Sequence, residues 1–464
     1  MWGDGVTRPP GNMSTMEVEL WDDVVSTFRE RTPRSRELYD ETNQHVPAGV
    51  SSTFREWFPH PLYVDRAKGV HLHDVDGNQY LDFGMNNGAG LSGHAHPAIT
   101  TAIVDQAEKG TLYTKPSKLL PEAAREIKHR WDTIEKVRFT NSGTESTMHA
   151  IRVARAHSGK DKILKIEGSY HGVHDYVLVS KSASREKLGH AKRPSKVVES
   201  TGVPDAIRET VEVGPWNDLD AIENILQEHI NEIGTIIVEP IVMNVGVTQP
   251  YEEFLHGLRE LCDEYGLVYV FDEVKTGVKV APGGAAEYYD VEPDLVAMAK
   301  SIGGNVPIGA FGGRERVMAE IEKGAAHFGT YNANPLGLRA VITQLSDVLT
   351  EEAYDHVNAL GEQLAQGYEE IMADHGITGH VQSVNSQGSV SFFDAPVENY
   401  RDYLVNVDID FHENYWFEML NQGILPHPHH PSQQWTISVQ HTQEHVEEHL
   451  STFNTVAPRL ARQQ

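Results

Sequence analysis

Four segments of this 464-residue chain set a chemically useful side chain directly behind a short apolar run. Val137-Arg138-Phe139 leads into Thr140-Asn141-Ser142-Gly143-Thr144-Glu145 and then into a helical pattern through Ala150, Val153 and Ala154. A strand, a tight turn and a helix start in that order present backbone N–H groups, with the Ser142 and Thr144 hydroxyls, as a cradle for a phosphate dianion. The same residues also make an ordinary helix cap, and their spacing is not that of a nucleotide-binding loop. Asp272-Glu273 closes the run 267–271, where a carboxylate can ligate a metal, orient a histidine, pair with a cationic ring nitrogen or cap a helix. Lys300 stands between the apolar run 294–299 and Gly303-Gly304. Partial desolvation there lowers an amine's pKa and permits Schiff-base chemistry, while an isolated lysine in such a place also reads as a surface residue. Tyr170-His171-Gly172 follows the run 162–166 and brings an aromatic ring to the same edge.

These residues converge only if the apolar runs are neighbouring strands, because ligands of open α/β sheets gather at the C-terminal strand ends. Between about 90 and 345, helical stretches at 122–131 and 218–230 alternate with short apolar runs at 162–166, 235–238 and 267–271, which predicts a mainly parallel sheet covered by helices. Phe254, Leu255, Leu258, Leu261 and Cys262 share one helical face before Gly266 and the next strand, so Cys262 is expected in the core. The expected organisation is a loose extension over 1–18, a small α+β domain begun by 19–90, a large ligand-binding domain over 91–345, and completion of the small domain by 346–464. The N-terminal part reads as helix from 19 to 43 with a break near Thr32-Pro33, then a hairpin around Asp74-Val75-Asp76-Gly77. The C-terminal part reads as helices at 351–375 and 414–422 flanking alternating segments at 388–393 and 435–439.

Composition narrows the classes. Thirty-nine basic against 67 acidic residues leave a net charge of −28, which disfavours a broad cationic face for nucleic acid. A 39% hydrophobic fraction supplies a large core, so the charge reads as an acidic skin, the kind a salt-adapted protein carries. One cysteine excludes an internal disulfide and fits a reducing cytoplasm. The start lacks a basic stretch followed by an apolar one, and the longest apolar runs are cut by Glu239-Pro240 or Asp272-Glu273, so neither signal peptide nor membrane span is expected. His427, His429 and His430 are crowded in a Pro-rich loop without cysteine partners, and no metal is expected there.

From about Val46 to Thr442 these motifs, in this order, resemble the class III aminotransferases of fold type I, which use pyridoxal 5′-phosphate. Within that family the likeness is to glutamate-1-semialdehyde 2,1-aminomutases and their transaminase relatives. The resemblance implies that Ser142, Gly143 and Thr144 form the phosphate cup and that Tyr170 lies against the cofactor ring. It implies Asn244, near Glu239-Pro240, beneath the cofactor, Asp272 on the pyridine nitrogen with Val274 packed on the ring, and Lys300 as the Schiff-base lysine. Gly329-Thr330 is similar to the stretch that reaches the phosphate of a neighbouring subunit, which implies a homodimer with shared sites. The spacings 272 − 244 = 28 and 300 − 272 = 28 match the family pattern. Lys275 and Lys279 are rival anchors by composition, but each follows the Asp272 strand too closely to reach across the ring.

The implied reaction moves an amino group between an amino acid or amine and a 2-oxo acid through a pyridoxamine form, with Lys300, Asp272 and Tyr170 as its catalytic set. Gly49 to Arg55 resembles the mutase segment whose arginine grips the substrate carboxylate, so Arg55 is expected as a buried guanidinium at the pocket mouth. Asn87 stands where the mutase pattern has tryptophan, Gln433 where it has glutamate, and 180–196 aligns poorly with the mutase's gating loop. These departures favour a transaminase over the mutase itself. A racemase, a decarboxylase and a catalytically silent cofactor-binding paralogue stay open, since the first two share the same lysine chemistry.

Overall fold

The structure, a computed structural model, describes residues 15–464; of the expected 1–18 extension, 1–14 lie outside the described residues. The helix begins at Thr15 and runs to Arg31, a second runs from Pro33 to Thr42, and Pro33 at its first turn makes the break. Thr32 Oγ1 donates to Phe28 O at 2.6 Å and seals the junction.

A seven-stranded sheet forms the centre. Its strands are β1 (Lys136–Thr140), β2 (Lys162–Ile166), β3 (Val211–Gly214), β4 (Ile233–Val238), β5 (Val268–Asp272), β6 (Leu295–Met298) and β7 (Gly309–Gly313). The spatial order is β1-β7-β6-β5-β4-β2-β3, and β7 alone runs antiparallel to its neighbours. Strands β4, β5, β6 and β7 are buried at every position, as continuous apolar runs covered by helices on both faces must be. Helices such as Leu219–Glu228 and Phe254–Tyr265 supply that cover. Cys262 is fully buried on the latter, which ends at Gly266 in the left-handed conformation. The expected mainly parallel sheet is thus what the chain builds.

The single expected hairpin is a three-stranded meander, Val64–Lys68, His71–Asp74 and Gln79–Asp82, to which Ile424–Leu425 adds a parallel strand. Asp74 organises the turn by accepting from the backbone N of Asp76 and Asn78 at 3.0 and 2.8 Å. The described N-terminal residues therefore share a sheet with the C-terminal segment. They share a core too: Trp21, Phe28, Tyr80 and Phe83 pack with Tyr368, Tyr415, Trp416, Trp435 and Phe453. The helix Glu351–His375 matches expectation, whereas the one expected at 414–422 runs from Ile409 to Asn421 and the long closing helix Gln443–Leu460 was not foreseen.

A second core gathers around the large sheet, and Tyr400 and Tyr403 of the helix Tyr400–Asn406 join it although they lie late in the chain. The same helix clamps the 180–196 segment. Arg401 binds both oxygens of buried Glu167 at 2.8 and 3.0 Å and donates to the carbonyls of Leu188, Gly189 and His190. Tyr400 Oη donates to Ala183 O at 2.9 Å. Among the described residues no helix is long and apolar enough to cross a membrane, and no group of three or more His, Cys, Asp or Glu is placed to hold a metal ion.

Candidate active site

The C-terminal ends of β1, β2, β4, β5 and β6 bring the separated motifs together. Ser142 caps the helix Gly143–Ser158, its Oγ accepting from Glu145 N at 3.2 Å, while Glu145 Oε2 accepts from Asn141 N at 2.8 Å. A Cβ on Gly143 would stand 2.9 Å from both Val274 methyls, and one on Gly172, held at φ +99°, would stand 2.7 Å from Thr144 Oγ1. Two glycines thus let the helix start touch both the loop after β5 and the loop after β2. Thr147 Oγ1 donates to His171 O at 2.6 Å and Ser146 Oγ to Met298 O at 3.1 Å, fixing the helix to those loops and to β6.

Asp272, at the end of β5, is 3% exposed. Its Oδ2 lies 2.8 Å from His171 Nδ1 and its Oδ1 accepts from Val274 N at 3.0 Å. Burial pulls His171 down to about 3, so the imidazole is neutral, with Nδ1–H donating to Asp272 and Nε2 facing Ser169 Oγ at 3.0 Å. Burial pushes the Asp272 carboxyl up to about 7, against the pull of the Val274 N–H and of the Lys300 ammonium. No lysine or arginine among the described residues comes within 4.0 Å of it. The adjacent Glu273 is structural: it accepts from the backbone N of Ala285 and Ala286, both at 2.9 Å, and from Thr276 Oγ1. The helix-capping reading of Asp272-Glu273 holds for the second residue.

Lys300 opens the 3₁₀ turn Lys300–Gly303 behind β6 at φ +50°, a left-handed conformation rare for a residue with a Cβ. Burial lowers its ammonium pKa, while Asp272 and Glu239 act to raise it. It makes no hydrogen bond or ion pair among the described residues. The two rival lysines are both engaged. Lys275 Nζ donates to Asn244 Oδ1, Gln433 Oε1 and Gln434 Oε1 at 2.7, 2.9 and 2.9 Å, and Lys279 Nζ donates to Gly88 O at 2.7 Å. Gly88 O also accepts from Ser301 Oγ at 3.0 Å, so the 84–88 turn is pinned beside Lys300.

Tyr170 is partly buried, and its backbone N donates to Glu239 Oε1 at 2.7 Å. Asn244 Nδ2 is buried with no partner. Thr330 is exposed, between Phe328 and Tyr331 at 88% and 63% exposure. Arg55 departs from expectation. It ends the 3₁₀ turn Thr53–Arg55, is exposed in the protomer where a buried guanidinium was expected, and donates to Ser51 Oγ at 2.7 Å, with no ion pair to Glu56. The physical reason is its place on an irregular N-terminal segment, outside the strand ends that bury the other groups.

The orphaned groups fit one cofactor. A buried carboxylate without a cation suits a protonated ring nitrogen, an unbonded desolvated amine suits an aldehyde, the orphan Asn244 Nδ2 suits a ring oxygen, and the capped helix start suits a phosphate. Pyridoxal 5′-phosphate carries all four. A family model described as "Aminotransferase class-III" matches residues 54–456. The chain belongs to the class-III aminotransferase family. The chain is 38% identical over 437 residues to a glutamate-1-semialdehyde 2,1-aminomutase of Methanopyrus kandleri, covering 93% of this chain and 99% of that one. Its fold matches an omega-transaminase from Sphaerobacter thermophilus with a TM-score of 0.88 and 32% identity, over 94% and 99% of the two chains. A transaminase solved with bound pyridoxal phosphate superposes with a TM-score of 0.84 at 31% identity, over 93% and 98%.

The sequence pointed to Asp272, Lys300 and the 142–144 turn, and the fold brings them to one edge. It assigned no role to His171, although it stands in the quoted Tyr-His-Gly segment, nor to Glu239 or Lys275. The available signal was a histidine directly after a strand-end tyrosine; nothing local foretold the partners of Lys275.

Proposed function

We propose that the chain is a pyridoxal-phosphate-dependent aminotransferase that moves an amino group between an amino acid or amine and a 2-oxo acid. The carrying observation is the contrast among three lysines: Lys300 alone is unbonded among the described residues, within the electrostatic reach of buried Asp272, while Lys275 and Lys279 are tied to amide and carbonyl oxygens. When bound, the cofactor supplies the electron sink that stabilises charge on the substrate carbon. Ser142, Gly143 and Thr144 would hold its phosphate, Asp272 would keep its ring nitrogen protonated, Val274 and Tyr170 would contact its ring, and Asn244 would donate to its ring oxygen. Lys300 anchors the aldehyde. Its amine, shifted toward the neutral form by burial, would serve to move a proton at the substrate carbon. Arg55 grips the substrate carboxylate.

A homodimer with shared sites, in which Thr330 reaches the phosphate of a second copy, is supported by the exposure of Thr330 together with Phe328 and Tyr331. The acidic surface supports a salt-adapted protein, and the lone buried cysteine a cytoplasmic one. The reading of a large domain at 91–345 with a small domain from both termini is supported by the separate core that Trp21 and Phe28 share with Trp416 and Phe453, while Tyr354, Tyr400 and Tyr403, beyond 345, pack with the large sheet.

A glutamate-1-semialdehyde aminomutase is the second reading, favoured by the 38% identity to such an enzyme across most of the chain. Asn87 and Gln433, at the two positions where the mutase pattern has tryptophan and glutamate, favour the transaminase. A panel of amino donors with 2-oxo acids, glutamate 1-semialdehyde included, separates them. Transfer that requires a 2-oxo acid supports the aminotransferase, and isomerisation of glutamate 1-semialdehyde without any acceptor overturns it.

A further inference from the structure

Lys275 is 6% exposed and carries the one buried ammonium near Lys300 whose three donors all end on side-chain amides. An ammonium only donates, so the three amides must each turn their oxygen toward it. That settles which way Asn244, Gln433 and Gln434 face. Gln433 Nε2 then donates to Asn244 Oδ1 at 3.1 Å, while among the described residues Asn244 Nδ2, already assigned to the cofactor's ring oxygen, and Gln434 Nε2 are left buried with no acceptor. Gln434 itself is fully buried, and its Nε2 stands against Gly88, in the turn pinned beside Lys300. No carboxylate pairs with Lys275 within 4.0 Å among the described residues. This corner therefore holds a positive charge and a spare N–H2 donor on its inner side, and its acceptors are already used.

We propose that Lys275 is a positioning and specificity-determining residue: it holds the Gln433 and Gln434 oxygens on its own ammonium, leaves the Gln434 N–H2 spare, and so makes this wall a receptor for a second carboxylate of the substrate. The inference rests on the aminotransferase reading and sharpens it to dicarboxylic amino acids and 2-oxo acids. A carboxylate brings two oxygens with free lone pairs and one negative charge, which is what the orphan donor and the unpaired ammonium lack. Burial, and after it the neighbouring Lys300 ammonium, draw Lys275 down to about 7, while Glu239 pulls the other way from beyond ion-pair distance. A glutamate at position 433 would pair with Lys275 and cancel the charge. Glutamine leaves it for the ligand.

The test uses the holoenzyme and two variants, Lys275→Gln, which keeps an amide donor to the neighbouring oxygens, and Lys275→Met, which keeps only the stem. Glutarate, an unreactive dicarboxylate, is titrated calorimetrically into each. The wild type should bind it, and both variants should bind about tenfold or more weakly. In turnover, the ratio of kcat/KM for 2-oxoglutarate over pyruvate should fall about tenfold in Lys275→Gln, a split that a general loss of packing would not produce. Glutarate binding within about twofold of wild type in both variants, or no glutarate binding by the wild type, overturns the proposal. Absence of any transfer activity in the wild type would count against the aminotransferase reading, and the glutarate titration still decides the role of Lys275.

Discussion

His171 Nδ1 stands 2.8 Å from Asp272 Oδ2, joining the loop after β2 to the end of β5 across the strand between them. Because burial keeps the imidazole neutral, it donates to the carboxylate without cancelling its charge, so Asp272 is oriented but stays free to pair with a cationic ring nitrogen. Asp272→Ala should lower turnover far more than cofactor content. His171→Phe should lower kcat by roughly 1–3 kcal/mol in barrier terms, the cost of a buried carboxylate losing a donor. Cofactor absorbance alongside steady-state kinetics checks both, and equal loss of cofactor and turnover would assign the pair a structural role.

Borohydride reduction of the holoenzyme followed by peptide mapping should find the cofactor on Lys300. Lys275 would have to leave three amide oxygens and Lys279 the Gly88 carbonyl to compete. Label on either of them would overturn the assignment of Lys300.

Arg55→Lys should raise the KM of carboxylate substrates by roughly 1–3 kcal/mol in binding terms, because lysine cannot reproduce a forked pair of hydrogen bonds. Cofactor absorbance should be unchanged. Since Arg55 is exposed in the protomer and bonded to Ser51, unchanged KM values would mark that contact as its whole role.

Acid should destabilise the fold. Burial holds His427 at about 4 and His429, His441 and His449 at about 3, well below the 6.5 of the unfolded chain. The unfolded state then binds more protons, so stability is full above pH 6.5 and is lost as pH falls from there toward 3. Asp272 and Glu413, raised to about 7, act with the opposite sign but are fewer. The melting temperature should therefore fall between pH 7 and pH 5. Replacing His449, whose Nε2 lies 2.5 Å from Tyr368 Oη, with leucine should flatten that slope.

Much of this was legible because strand-end chemistry is local. Asp272 and Lys300 follow unbroken apolar runs, and a run ending in a charged residue is visible in one dimension. The helix Glu351–His375 was equally visible, since its apolar period persists over 25 residues between Thr350 and Gly376. What stayed hidden depends on partners distant in sequence. Lys275 meets Gln433 and Gln434 across nearly 160 positions, and Gly88 meets Lys279 across 191. The two-residue strand Ile424–Leu425 carries too little pattern to announce that it completes a sheet begun at Val64.

The clamp that Arg401 and Tyr400 place on the 180–196 segment bears on how this scaffold can be redesigned. The carbonyls of Ala183, Leu188, Gly189 and His190 in this segment accept from one tyrosine and one arginine that lie more than 200 positions later in the chain. A loop transplanted from another enzyme into 180–196 alone would arrive without the carbonyl positions that Arg401 expects and would leave Glu167 holding a guanidinium with spare donors. The exchangeable module is therefore discontinuous, the loop together with the start of the Tyr400–Asn406 helix, and libraries that vary both at once should yield folded variants more often than libraries that vary the loop by itself.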